Sequence, residues 1–354
     1  MLKLFKLKAT TFGATTLTGL MILCSLLILE QAAVSQSQWR NECTAQIRDG
    51  YRYVDSNGIP DHSTGQFPNR GNPNAISPQD YHVRMPVNPT PSHGRSEARG
   101  YTFGVAVNGV MFDPGTAELW NGDRRWAYEA LTGMMASRGS MGVDENLAHV
   151  QPNGAYHYHG LPMGLLERLH YRNKMTLVGY AADGYPIYGP YAYSNAEDPS
   201  SSIKELKSGY RLKDGFRASG KDGPGGAYDG SFSQDYEWVS GIGDLDAFSG
   251  RTGVTPEFPH GTFYYVLTSS WPFVPRMFRG VPDSTFRKGP PGGGTAHGGN
   301  PGAGGNHFGP PGSGPPGSGP PGSGPPRGGN DFGPPGGGRP PRDGNDFGPN
   351  VFRI

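Results

Sequence analysis

Between residues 36 and 288 apolar positions come in short runs rich in aromatic and β-branched residues, separated by glycine, proline, asparagine and aspartate. That is the pattern of a β-sandwich or a related sheet architecture. The clearest strands are predicted at Tyr101 to Val107, Ala155 to His159, Thr176 to Ala182 and Thr262 to Thr268. Asn108-Gly109 and Asp183-Gly184 have the composition of hairpin turns. Trp126, Ala130, Leu131 and Met134 fall on one stripe of a helix running from about Arg124 to Met135, and a second helix is expected from Leu165 to Arg172. The fold class expected is therefore mainly β, a single sandwich-like or related β-rich domain with one or two short helices, which some 250 residues fill comfortably.

The two ends follow other patterns. Lys3, Lys6 and Lys8 precede an uncharged stretch from Ala9 to Leu29, and Ala33-Val34-Ser35 forms a small-x-small exit. This is the order of a secretory signal peptide over residues 1–35, cleaved after Ser35. An uncleaved anchor is the alternative, because a helix of that length reaches about 31 Å, enough for a bilayer core. From Gly289 to Pro349, 40 of 61 residues are glycine or proline, too little apolar surface to offset the entropy of ordering, so a disordered tail is expected over 289–354. Pro-Pro-Gly-Ser-Gly repeats there with a period of five, which excludes a collagen helix, and Asn-His/Asp-Phe-Gly-Pro recurs at Asn306, Asn330 and Asn345.

Charge and cysteine content exclude more than they suggest. Loss of residues 1–35 would move the formal charge from +1 to −1, and no block of Lys and Arg remains, so no nucleic-acid partner is expected. The exported part keeps a single cysteine, Cys43, which excludes an intrachain disulfide there and disfavours thiol catalysis. No serine stands in a Gly-x-Ser-x-Gly elbow and no phosphate-cradling glycine loop precedes a helix.

The most specific chemistry lies in Tyr156-His157-Tyr158-His159-Gly160. In a strand, side chains alternate between faces, so His157 and His159 project from one side, near enough for both imidazoles to reach one ion. His149 stands one short turn upstream, giving three nitrogen ligands within eleven residues, a set suited to copper or zinc. His260 and His62 are weaker candidate ligands. Asp144 and Asp183 are candidate bases for a metal-bound water, and either could also orient a ring. The competing reading makes the histidines a structural polar network and Asp183 an ordinary turn aspartate. Multicopper oxidases need further His-x-His pairs and a histidine-flanked cysteine, and cupins need a glutamate closer than Glu167, so neither pattern applies.

Four blocks surround this motif: Asn57-Gly58-Ile59-Pro60-Asp61-His62, Val107 to Gly122 with Phe112-Asp113-Pro114-Gly115, Asp144-Glu145-Asn146-Leu147-Ala148-His149, and Asp183-Gly184-Tyr185-Pro186-Ile187-Tyr188-Gly189-Pro190. Together with the Tyr-His-Tyr-His run they resemble the YHYH-domain family over roughly residues 50–280. The resemblance implies an exported protein, periplasmic, cell-surface or secreted, and assigns no activity. Three functions stay open on the residues: a transition-metal-binding domain, a metal-dependent extracellular hydrolase or oxidoreductase, and a module that binds glycan or cell-wall polymer through the tail or an aromatic surface.

Overall fold

The computed structural model describes residues 39–289 except 95 and 140; the expected signal segment and the Gly/Pro-rich tail lie outside the described residues. The protein is mainly β, with an eight-stranded mixed sheet, a three-stranded meander and two short α-helices, Gly133–Arg138 and Met163–Arg168, among the described residues. No described helix is long and apolar enough to cross a membrane.

Across the large sheet the strands run Gly250–Gly253, Thr262–Val266, Pro186–Tyr188, Leu177–Ala181, Gly104–Ala106, Met111–Phe112, Tyr156–Tyr158 and Ala148–Val150. Both expected hairpins form. Gly109 and Gly184 take the positive φ values of +82° and +94° that their turns require, and Ala106 and Ala181 donate their amide N–H groups across to Val110 and Tyr185. Two pairings are parallel, Pro186–Tyr188 with Thr262–Val266 and Met111–Phe112 with Tyr156–Tyr158.

The sheet is covered on both faces. Phe263, Tyr265 and Ile187 enter one apolar cluster with Phe103, Val105, Phe112 and Tyr158, whereas Tyr264, Val266 and Tyr188 enter a second with Met175, Leu206 and Leu245. Alternate residues of one strand thus serve different cores. The meander, Cys43–Arg48, Tyr51–Ser56 and Tyr81–Pro86, adds Val54, Tyr81, Val83 and Met85 to the first core.

Two helix expectations need correction. The stretch from Arg124 to Thr132 is not helical, because it forms antiparallel bridges Leu119–Ala127 and Tyr128–Phe232, and the Glu129 amide donates to Ser231. Trp126 and Ala130 of its apolar stripe are buried instead as an irregular chain, with Trp126 edge-on to Phe232 at 5.6 Å. The second helix runs Met163–Arg168 rather than Leu165 to Arg172; His170 at φ +53° and Asn173 at φ +58° leave the right-handed region and end it.

Gly109 ties hairpin to meander, since a Cβ there would lie 2.0 Å from Ser56 Oγ. Gly109→Ala is expected to lower unfolding free energy by about 2–3 kcal/mol. Gly50→Ala, at φ +78° but in open space, should cost only about 1 kcal/mol. Urea titrations of the two variants check the difference.

Candidate functional site

The last two strands of the large sheet carry the site. Ala148–Val150 and Tyr156–Tyr158 are antiparallel, with His149 paired directly to His157. The His159 amide extends the ladder by donating to the Leu147 carbonyl at 2.8 Å. A cross-strand neighbour and an i+2 neighbour share one face, so three imidazoles converge. Their ring centroids stand 4.7 Å apart in all three pairs. One ligand nitrogen from each ring lies within 4.8 Å of the other two.

Backbone carbonyls can only accept, and this fixes two tautomers. His149 donates Nδ1–H to the Met141 carbonyl at 2.9 Å, and His157 donates Nδ1–H to the Ala155 carbonyl at 3.2 Å. Each therefore presents an Nε2 lone pair. His159 Nε2 sits 3.1 Å from His157 Nε2 and supplies the one proton between them, while its buried Nδ1 has no hydrogen-bond partner. Burial pushes all three histidines below their ordinary pKa, His157 to about 3, with neighbouring imidazoles adding to the effect on His157 and His159. They are neutral at physiological pH, the protonation state a metal ligand needs.

Charged groups face the triad from distant parts of the chain. Asp113 follows Met111–Phe112, which pairs in register with His157 and Tyr158, and its amide donates to the Tyr158 carbonyl at 2.9 Å. Strand alternation puts its carboxylate on the histidine face. It is 2% exposed, its charge favours protonation of His149 and His157, and Lys288 Nζ holds it at 2.5 Å. Arg276 acts on His159 in the opposite sense; its guanidinium donates to the Pro114 carbonyl at 2.5 Å and to Glu129 at 2.7 Å. Asp113, Lys288 and Arg276 were not among the residues expected from sequence. Asp113 lay in a block singled out for its composition, but its place beside the triad depends on a parallel pairing that no local signal announces.

Of the seven expected site residues the structure brings together three, His149, His157 and His159. Asp144 is committed on the tyrosine face: it accepts from the Tyr156 hydroxyl at 2.7 Å and from the amides of Gly65, Asn146 and Ala148. Asp183 is 1% exposed and accepts from the Tyr265 hydroxyl at 2.6 Å and the Gly280 amide at 2.8 Å. Burial raises its carboxyl to about 6, with these donors working in the opposite direction. His62 accepts from the Tyr158 hydroxyl at 2.6 Å and stacks on that ring, on the side of the strand away from the triad. His260 is exposed in a turn before Thr262–Val266. Tyr185 and Tyr188 are buried, so they offer no open aromatic platform. Cys43 is a free, half-buried thiol whose pKa is raised by burial and then by Asp61, the opposite of an activated nucleophile.

The folded triad binds protons less readily than the unfolded chain, whose histidines titrate near 6.5. Below that pH the unfolded state takes up protons first, so stability is complete above about 6.5 and falls as the pH drops toward about 3. The metal-free protein is expected to lose about 1.4 kcal/mol per pH unit through His157, with His149 and His159 acting in the same direction. His157→Gln should flatten this slope, as measured by urea unfolding between pH 7.5 and pH 5.

A model of the YHYH protein family matches residues 82–280, a span that contains the triad, Asp113 and the Asp183 turn. No curated protein and no solved structure matches the chain. The match takes in more than half of the sequence and centres on the motif that builds the site: the chain belongs to the YHYH protein family.

Proposed function

We propose that the protein is an exported transition-metal-binding protein that holds zinc or copper on His149, His157 and His159. The observation that carries this reading is the convergence of three neutral imidazoles, two with Nδ1 anchored on backbone carbonyls so that Nε2 is left as the ligand atom. Two nitrogens coordinated tetrahedrally at about 2.0–2.1 Å from one zinc stand roughly 3.3 Å apart. His157 and His159 hold their Nε2 atoms at 3.1 Å before any ion is considered, and an ion would take the place of the proton between them, with His159 carrying its proton on Nδ1 instead. The anchoring of Nδ1 is the usual outer support of a metal-bound histidine.

Three protein ligands leave a fourth position for water or substrate, which favours the enzyme form of this reading, a metal-dependent hydrolase or oxidoreductase. Asp113 is the carboxylate that offsets the charge of the ion in this site, and the Lys288 and Glu129–Arg276 groups border it. Asp144 serves in this reading as a bracket for the strands that carry the site and Asp183 as a bracket for the far half of the sheet, since their oxygens are taken by hydroxyl and amide donors. The segment before residue 36 directs export, and the Gly/Pro-rich tail acts as a spacer toward wall polymer.

Elemental analysis by mass spectrometry tests the reading on the full chain, purified from the periplasm without a histidine tag. Near-stoichiometric zinc or copper is expected, and it should be lost from the double variant His157→Ala/His159→Ala with its fold retained by circular dichroism. Absence of metal from the wild type under replete conditions would return the histidines to a structural network and favour the glycan-binding module. Asp113→Asn is expected to weaken metal affinity by about tenfold, checked by chelator competition.

A further inference from the structure

Parity splits the Tyr-His-Tyr-His strand into two faces, histidines on one and tyrosines on the other. We propose that Tyr156 is a positioning residue of the triad: its hydroxyl, acting through Asp144, sets where His149 stands opposite His157. This rests on the reading of the triad as a metal site.

The connection is short and fully hydrogen-bonded. Tyr156 is 1% exposed, and its hydroxyl donates to Asp144 Oδ2 at 2.7 Å. Oδ2 also accepts from the Gly65 amide at 3.0 Å. Oδ1 accepts from the amides of Asn146 at 2.9 Å and Ala148 at 3.2 Å. Ala148 is the residue immediately before His149 and pairs with Tyr158. One carboxylate therefore joins the strand that carries His157 and His159 to the backbone that delivers the third ligand.

The turn between Asp144 and Ala148 needs such a bracket. Leu147 sits at φ +49°, a left-handed conformation that a leucine rarely adopts, while its carbonyl accepts from the His159 amide. Without the carboxylate, the Asn146 and Ala148 amides lose their side-chain acceptor, and the turn is held only by the backbone bonds from the Asp144 amide to Ala148 and from the Leu147 amide to Asp144. The His149 ring is fixed in rotation by Met141, but its position along the strand follows the turn.

Packing alone does not explain a tyrosine here. The ring meets Phe67 edge-on at 6.0 Å and Tyr158 at 5.9 Å, contacts that phenylalanine would also make. What phenylalanine lacks is the hydroxyl. Tyr158 uses its own hydroxyl on a different segment, donating to His62 and accepting from Asn108. The two tyrosines of the motif thus latch two separate segments against the back of the metal strand.

The test is a double-mutant cycle on the full chain. Zn(II) affinity is measured by competition with a chromophoric chelator for wild type, Tyr156→Phe, His149→Ala and the double variant, with metal-free thermal midpoints alongside. Tyr156→Phe is expected to weaken zinc by about tenfold or more while one ion still binds. The losses should not multiply: once His149 is gone, the hydroxyl has nothing left to position, and the double variant should bind as His149→Ala does. Wild-type affinity in Tyr156→Phe, or losses that multiply, would overturn the proposal and leave a hydroxyl that serves only stability. Should Tyr156→Phe not fold, Asp144→Asn is carried through the same cycle with the same expectation. A wild-type chain that binds neither Zn(II) nor Cu(II) would overturn the metal reading itself, a result visible before any variant is compared.

Discussion

The antiparallel pairing of Ala148–Val150 with Tyr156–Tyr158 is the contact on which the rest of the site depends. A slip of one residue would send every side chain of a strand to the opposite face, exchanging His149 for a buried alanine or valine. Several independent bonds hold the register: the His159 amide on Leu147, the Asp144 bracket on the Ala148 amide, and the Tyr156 hydroxyl on the same carboxylate. The redundancy matters because the outer strand is only three residues long and lies at the edge of its sheet. Three ladder residues alone are a weak guarantee of register.

Electrostatics at the site follows from burial. Imidazoles this enclosed are cheaper neutral than charged, so the fold itself prepares lone pairs rather than cations. The acids and bases around them are paired, Asp113 with Lys288 and Glu129 with Arg276, as isolated charges at this depth would be too costly. Asp144 and Asp183 illustrate a second use of a carboxylate. Each stands in a loop or turn between strands, accepts from a tyrosine hydroxyl and from backbone amides, and fastens segments far apart in the chain.

Local signals were read correctly where the chain's choice is local. The Asn108-Gly109 and Asp183-Gly184 turns and the four predicted strands depend on neighbours in sequence, and all six form, with strand ends trimmed by one to three residues. The stripe from Trp126 to Leu131 misled because apolar residues at helical spacing have two explanations, and bridges to Leu119 and Phe232 select the non-helical one. Nothing near Arg124 in sequence announces a partner at residue 232.

The sequence by itself determined that the chain is mainly β and that His157 and His159 share a face, because alternation in a strand is a property of the backbone alone. It also carried the family, through the motif and its flanking blocks. Only the tertiary structure decided that His149 stands opposite His157, that His62 lies behind the strand with Tyr158, and that Asp113 and Lys288, 175 residues apart, meet beside the triad. These depend on strand order and on a parallel pairing, which are settled by how separate segments share two cores rather than by any one segment's pattern.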